Sequence, residues 1–592
     1  MKRKVVLSGI VLAALFLCNA CFLFEDDDDN DDNVLVTATQ AVTWDYDSSF
    51  PIKELDSSVL SVTINNVPSG KTLYLIKRNT GSYALSSALT RGGSSSRSAV
   101  AENSVTNVDF SPDTTLLRKH FVGEKMPSVR GFSSARSALN SPSYATVEKT
   151  YTVGDKKNIY VDTDSGMSTF KQKSATLRAV GTNCYVWVVD DYYTTATTAS
   201  GNKVNTAIAQ HYAEKFDAMY LVITNVFGKE SDVILDYDAK QQIAIASRSD
   251  TGSKINIVVY DIGADYNSST QTGVVGYFYA KDYYYTESDL TKMMQPILGK
   301  SNVGKYFYID SVYANTNFGD TISTLAHEFQ HMVNFNQKDI LQDVSPSTAY
   351  NEMLSMLCED MMQNFLELQD YASPKNRILS FNGFYSLSGI TEYLDENSAL
   401  SYSTSYAFGS WLARQFGGAK LVQAMSTNST VDTDSIVAAV NVVNGTSYSF
   451  DGIFMRFLLA LTKNTTYTHN QDAAEELQYP KTGTATYTYP MKKFSLWSSA
   501  SLKYDSDGDD KEDATYTFSL KGSEFEKNNE KAAYSGYTWT GPFVFSTDYA
   551  PKELRPENGI SIHGVKTTSA DTETITFAPQ GPSTLKIYVI IQ

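Results

Sequence analysis

Between residues 145 and 465 the spacing of apolar residues changes once, near residue 320, and that change constrains the fold more than any other feature. Before it, β-branched and aromatic residues alternate or run together in short pieces, "ATLRAVGTNCYVWVVDD", "KINIVVYDIG", "TGVVGYFYA" and "KYFYIDSVY". One helix-spaced segment, "KVNTAIAQHYAEKF", interrupts them. After it, apolar positions recur every three to four residues until about 465. Strands first and helices second predict an α+β domain. Tyrosine, 39 of 592 residues, fits abundant sheet.

Both flanks read as β-rich. Residues 34–90 alternate in "SVLSVTINNV" and "KTLYLIKR", broken at Pro68, Gly70 and Gly81, which predicts a small β-module. Residues 91–144 hold two Ser/Arg-rich stretches, "TRGGSSSRSAV" and "RGFSSARSAL", and read as a low-complexity linker or pro-segment. Residues 466–592 return to short β-runs ending "TLKIYVIIQ". Length alone allows two to four domains.

The first 20 residues have the form of an export signal: Lys2, Arg3 and Lys4, then "VVLSGIVLAALFL", then "CNAC". Ala20 before Cys21, with Leu17 upstream, resembles a relaxed lipobox, although Cys18 and Asn19 depart from its usual pattern. Lipidation of Cys21 is favoured over ordinary cleavage near Ala20. Seven acids within residues 25–32 then make residues 21–33 a hydrated tether. No later run is long and apolar enough to span a bilayer; the best, "IFMRFLLAL", contains Arg456. The expected location is exported, on a membrane-anchored lipoprotein at the cell surface or periplasmic face, with a secreted soluble protein as the alternative. A formal charge of −17 without a basic stripe gives no electrostatic reason to bind nucleic acid. Cys184 and Cys358 could form one disulfide or stay as buried thiols.

The chemistry gathers just after the change of period. In "DTISTLAHEFQHMVNF", Asp320 is a candidate N-cap and the apolar residues follow helical spacing. His327 and His331 then lie one turn apart on one face, where both imidazoles reach a single metal ion. Glu328 is one residue round, poorly placed as a ligand and well placed to take a proton from water on that metal. The metzincin continuation is excluded, because Asn334 and Gln337 stand where its Gly and third His belong. A glutamate from a second helix, "SPSTAYNEMLSMLCEDMMQNFLEL", supplies the third ligand: Glu352. Glu359, two turns on, is a candidate acceptor for the other N–H of a ligand histidine, with Asp360 as its competitor.

"STLAHEFQHMVNF" followed by "NEMLSMLCED", with "VVYDIG", "GVVGYFYAKDYY" and "YFYIDS" before them, resembles the hyicolysin-like metallopeptidase family of the gluzincin group. The resemblance spans about residues 145–465. It implies a gluzincin-type metallopeptidase domain, a β-sheet lobe then a helical lobe, flanked here by the N- and C-terminal β-modules. It implies one catalytic Zn2+ held by His327, His331 and Glu352, with Glu328 as general base and acid toward a zinc-activated water. Met353 departs from the pattern, which commonly has Gly after the ligand glutamate. For the oxyanion donor, Tyr406 resembles the tyrosine on the helix that follows the zinc helices; Tyr402 is equally reachable. The strand "KYFYIDSVY" could pair a substrate along its edge or lie in the core.

Other candidates are weaker. "DSDGDD", 505–510, has acids at alternate positions of a Ca2+-like loop but Asp510 where Gly is required, so a turn is favoured over Ca2+. His120, His211, His469 and His563 lack ligand spacing and read as surface or packing residues. There is no G-x-S-x-G and no phosphate-binding glycine loop. The absence of a GxMEN-type signature favours internal cleavage over removal of N-terminal residues. The expected protein is a surface-anchored zinc endopeptidase whose partners are a protein or peptide substrate and, through its lipid, a membrane. The alternative is a catalytically inactive protease-fold lipoprotein acting in surface binding or adhesion.

Overall fold

The computed structural model describes most of residues 34–592, leaving out most of 87–149, 239–242, 250–253, 267–272, 369–371, 470–488, most of 498–548 and a few single positions. The signal and tether (1–33) and the "DSDGDD" loop lie outside the described residues.

In the N-terminal segment, β1 (Ile52–Leu55) is followed by β2 (Val59–Asn65) and β3 (Thr72–Asn79), and the last two form where the alternation predicted strands. A two-residue strand, β4 (Lys119–His120), follows. The central sheet then takes β5 (Lys156–Asp162), β6 (Phe170–Val180), β7 (Cys184–Val189), β8 (Ile255–Tyr260), β9 (Val274–Phe278) and β10 (Tyr306–Asp310). With β4 it has seven strands in the order β5-β6-β7-β8-β10-β9-β4. β7, β8 and β10 are parallel, and β9 runs antiparallel to β10.

Every residue of β7, β8 and β10 is buried, as in a sheet covered on both faces. Alternate residues serve two cores. Val186, Val188, Ile257 and Val259 pack toward the helices, whereas Trp187, Val189, Val258, Tyr277 and Tyr308 form a tyrosine-rich cluster on the opposite face. β10 is therefore an internal strand between β8 and β9. "KYFYIDSVY" thus lies in the core, and among the described residues β9 is followed on its outer side by the two-residue β4.

Helix α1 (Thr206–Phe227) starts at Asn205, whose side chain accepts from the Ile208 N–H, and lies on the helical face of the sheet. The helical part follows: α2 (Phe318–Asn334), α3 (Thr348–Phe365), α4 (Arg377–Phe384), α5 (Ser398–Phe416), α6 (Ala419–Thr427), α7 (Asp432–Asn444) and α8 (Phe450–Leu461). Because α2 begins at Phe318, Asp320 sits inside its first turn and is not the cap. Ser347 performs that job for α3, its Oγ accepting from the Tyr350 N–H.

The two flanking segments share their sheets. β3 lies between β11 (Gly559–Thr567) and β13 (Leu585–Ile591), and β13 also pairs with β1; all are antiparallel. β2 pairs with β12 (Thr572–Phe577). Val62, Ile64, Leu73 and Leu75 share one core with Leu585, Ile587, Val589 and Ile591. Arg78 ties this β-body to the helices, bonding Asp451 at 2.7 Å and lying 4.0 Å from the Phe454 ring. Cys184 and Cys358 are both buried free thiols. Among the described residues no helix is long and apolar enough to cross a membrane.

Candidate metal centre

α2 turns Ile322, Leu325, Ala326, Phe329, Met332 and Val333 into the apolar core. It packs on β9 unusually closely, because a Cβ on Gly276 would meet Thr324 Cγ2 at 2.5 Å and Tyr308 O at 2.8 Å. This glycine lets the helix that carries His327, Glu328 and His331 lie directly beneath the sheet edge. All three side chains are buried, as is Glu352.

His327, His331 and Glu352 offer donor atoms to a common point. His327 Nε2 lies 3.0 Å from His331 Nε2 and 3.0 Å from Glu352 Oε2, and His331 Nε2 is 3.4 Å from Glu352 Oε1. Each imidazole is anchored at its other nitrogen. His327 Nδ1 faces Glu359 Oε1 at 2.7 Å, and a carboxylate only accepts, so that nitrogen carries the proton. His331 Nδ1 faces Asn351 Oδ1 at 3.1 Å and Ser355 Oγ at 3.0 Å. Both Nε2 lone pairs are thus directed at the carboxylate. Two lone pairs and a carboxylate this close repel unless a cation lies among them, so the donor set fits a metal ion with N/O preference.

Without a metal ion, a proton on His327 takes that cation's place. Burial opposes a charged His327, yet bonds to Glu352 and Glu359 hold its pKa up at about 10. Burial also opposes ionised Glu352, yet His331 and His327 hold it down to about 2. Glu328 behaves oppositely: burial pushes it up to about 7 against the two histidines.

The two acids at the end of α3 have separate jobs. Glu359 also accepts from Ser323 Oγ at 2.7 Å, so two side chains of α2 hold this residue of α3. Asp360 turns away into a buried bidentate pair with Arg414 on α5, at 2.7 and 3.0 Å. Met353 is accommodated by Gly409 of α5, where a Cβ would stand 2.6 Å from Met353 Cγ. Bulk after the glutamate on one helix is matched by its absence on the next.

The tyrosines of α5 share a helix face but sit one turn apart, against different neighbours. Tyr406 lies beside Asp360 and Arg414 with its ring edge-on to Phe494. Tyr402, one turn earlier, is the tyrosine beside the site, and the charge of Glu352 helps raise its pKa, after burial.

His120 is the residue that sequence reasoning missed. It is 4% exposed, its Nδ1 lies 2.6 Å from Glu328 Oε1, and its ring stacks on His327 at 3.8 Å and 13°. It forms a second candidate metal group with His327 and Glu328. Nothing in its neighbourhood, "LLRKHFVG", carries a ligand spacing, so no local signal could have found it. Of the other histidines, His211 packs on Phe318 and His563 bonds Ser561, consistent with packing roles.

Comparison with known proteins places this geometry in context. The family model Peptidase M30 matches residues 163–504. Over 355 residues the chain is 26% identical to the Neutral metalloprotease ShpI of Staphylococcus hyicus, covering 57% of this chain and 68% of that protein.

Proposed function

The chain belongs to the M30 family of hyicolysin-like metallopeptidases, and we propose that it is a zinc-dependent endopeptidase exported on a lipid anchor at Cys21. Family membership makes it a metalloprotease acting on peptide bonds. The observation that carries the finer reading is the convergence of His327 Nε2, His331 Nε2 and Glu352 within 3.0–3.4 Å, with Glu328 next to them. In this reading the sheet and the helices form the two lobes of a gluzincin-type domain, with the cleft along β9.

His327, His331 and Glu352 would hold the zinc ion, which when bound supplies Lewis-acid polarisation of the peptide carbonyl and acidifies water. Glu359 holds His327 in the tautomer and orientation that a ligand needs. Glu328 accepts a proton from the attacking water and delivers it to the departing amine; burial keeps its pKa near the working range for both transfers. β9 offers main-chain groups to an extended peptide, and Tyr402 is the hydroxyl donor for the developing oxyanion.

The test measures zinc per chain and cleavage of an unfolded casein by the full chain and by Glu328→Ala. One zinc in both and cleavage only with Glu328 intact is expected. Absence of stoichiometric zinc would refute the ligand set. Zinc without cleavage, even after the β4 segment is displaced, would favour a non-catalytic binding lipoprotein.

A further inference from the structure

We propose that residues 119–120 are a self-inhibitory ligand of the substrate cleft, with His120 latched onto the general base. This rests on the peptidase reading above, since it assigns an occupant to that cleft. Three contacts of one short strand fall on the three features a peptide substrate would use.

The first is the sheet edge. Without β4, β9 would present an open row of backbone donors and acceptors, the usual template for strand addition. Lys119 and His120 pair there with Val274 and Gly276. The second is the base. The His120 ring lies over His327, and its Nδ1 is 2.6 Å from Glu328 Oε1, so a peptide or water approaching Glu328 from that side must displace it. The third is the hydroxyl donor. Tyr402 donates to the His120 backbone carbonyl at 3.2 Å, holding a peptide oxygen beside the metal donors.

The occupant is built to stay near yet be displaceable. β4 is two residues long and runs parallel to β9, the less stable mode of pairing, so its own ladder is weak. Both its chain ends lead into folded structure, toward β3 on one side and β5 on the other, so the segment is held at high effective concentration. An antiparallel substrate competes with it once the tether is loosened. The Ser/Arg-rich stretches on either side, 90–100 and 130–139, are the places where cutting would do so. A single cut would leave the N-terminal strands in place, because β3 lies inside the sheet between β11 and β13.

The experiment compares the zinc-loaded full chain with His120→Ala and His120→Ala/Glu328→Ala. It reads two quantities: binding of a dansyl-labelled tripeptide hydroxamate by fluorescence, and hydrolysis of a quenched peptide. The latch predicts at least about ten-fold tighter hydroxamate binding in both variants and at least about ten-fold faster hydrolysis in His120→Ala alone. Equal or weaker hydroxamate binding in a folded His120→Ala chain overturns it. Slower hydrolysis with unchanged binding also overturns it and makes His120 a catalytic donor. Tighter binding without hydrolysis by any variant keeps the latch and removes the peptidase reading. If alanine at this buried position prevents folding, His120→Asn, which removes the ring and keeps a polar group, is judged by the same outcomes.

Discussion

Replacing Glu359 by glutamine should loosen the metal while leaving its ligands in place. The carboxylate accepts from His327 Nδ1 at 2.7 Å and from Ser323 Oγ at 2.7 Å, both fully shielded from water. A charge-assisted bond of this kind fixes the tautomer and raises the basicity of the opposite nitrogen, and losing such a partner typically costs 10–100-fold in metal affinity. Glutamine keeps the shape and one acceptor but not the charge, so Glu359→Gln should weaken zinc binding roughly ten-fold, about 1.4 kcal/mol. Glu359→Ala removes both and should approach 100-fold, about 2.8 kcal/mol. Ser323→Ala leaves the carboxylate charged and should shift affinity less than about three-fold. Competition with a chromophoric chelator at neutral pH reads all three, beside a melting curve of each metal-free chain. A folded Glu359→Gln chain whose zinc affinity stays within about two-fold of wild type would show that packing, not this carboxylate, orients His327.

Three further perturbations probe other parts of the structure. In the His120→Ala background, Tyr402→Phe should lower kcat roughly 100-fold with KM little changed, while Tyr406→Phe should leave kcat within about two-fold; equal effects would discard the assignment of the donor to Tyr402. Arg414→Met strands a buried Asp360 and should cost about 3–5 kcal/mol in chemical denaturation, and the double variant Asp360→Leu/Arg414→Met should cost less than the single one. Asp162 is pushed up to about 6 by burial, against bonds from Tyr260 and the Gly263 N–H. Its folded pKa lies above the unfolded value of about 3.9, so its contribution is present below pH 4 and is lost as pH rises through about 6. Asp162→Asn should remove that fall, read as the difference between the two melting-temperature profiles; parallel profiles would contradict it.

What the sequence made legible was local. His327 and His331 share a face because four residues make one turn, and Glu352 could be expected beside them because a second apolar-spaced segment follows at loop distance. α1 and the buried strands β7 and β8 were readable from period alone. What escaped depended on distant partners. His120 meets Glu328 across 208 residues, a contact that no window of sequence contains. Tyr402 and Tyr406 differ by one turn on α5, and only the packing of that helix against α3 decides which one lies beside the site. "KYFYIDSVY" read equally as edge or core, because strand order is not chain order: β9 precedes β10 in sequence yet lies outside it in the sheet. The flanks each read as β, but their alternation says nothing about whose strands pair.

The placement of β3 between β11 and β13 also sets a timetable. A strand made early waits for partners roughly 500 residues downstream. Until they emerge, its two edges stay open and its apolar face has no core to join. For a chain that crosses a membrane as proposed, this delay is useful: the β-body is still unfinished while most of the polypeptide is being threaded through. Closure of that body then follows export of the residues between its strands, so it forms on the side where it is meant to work.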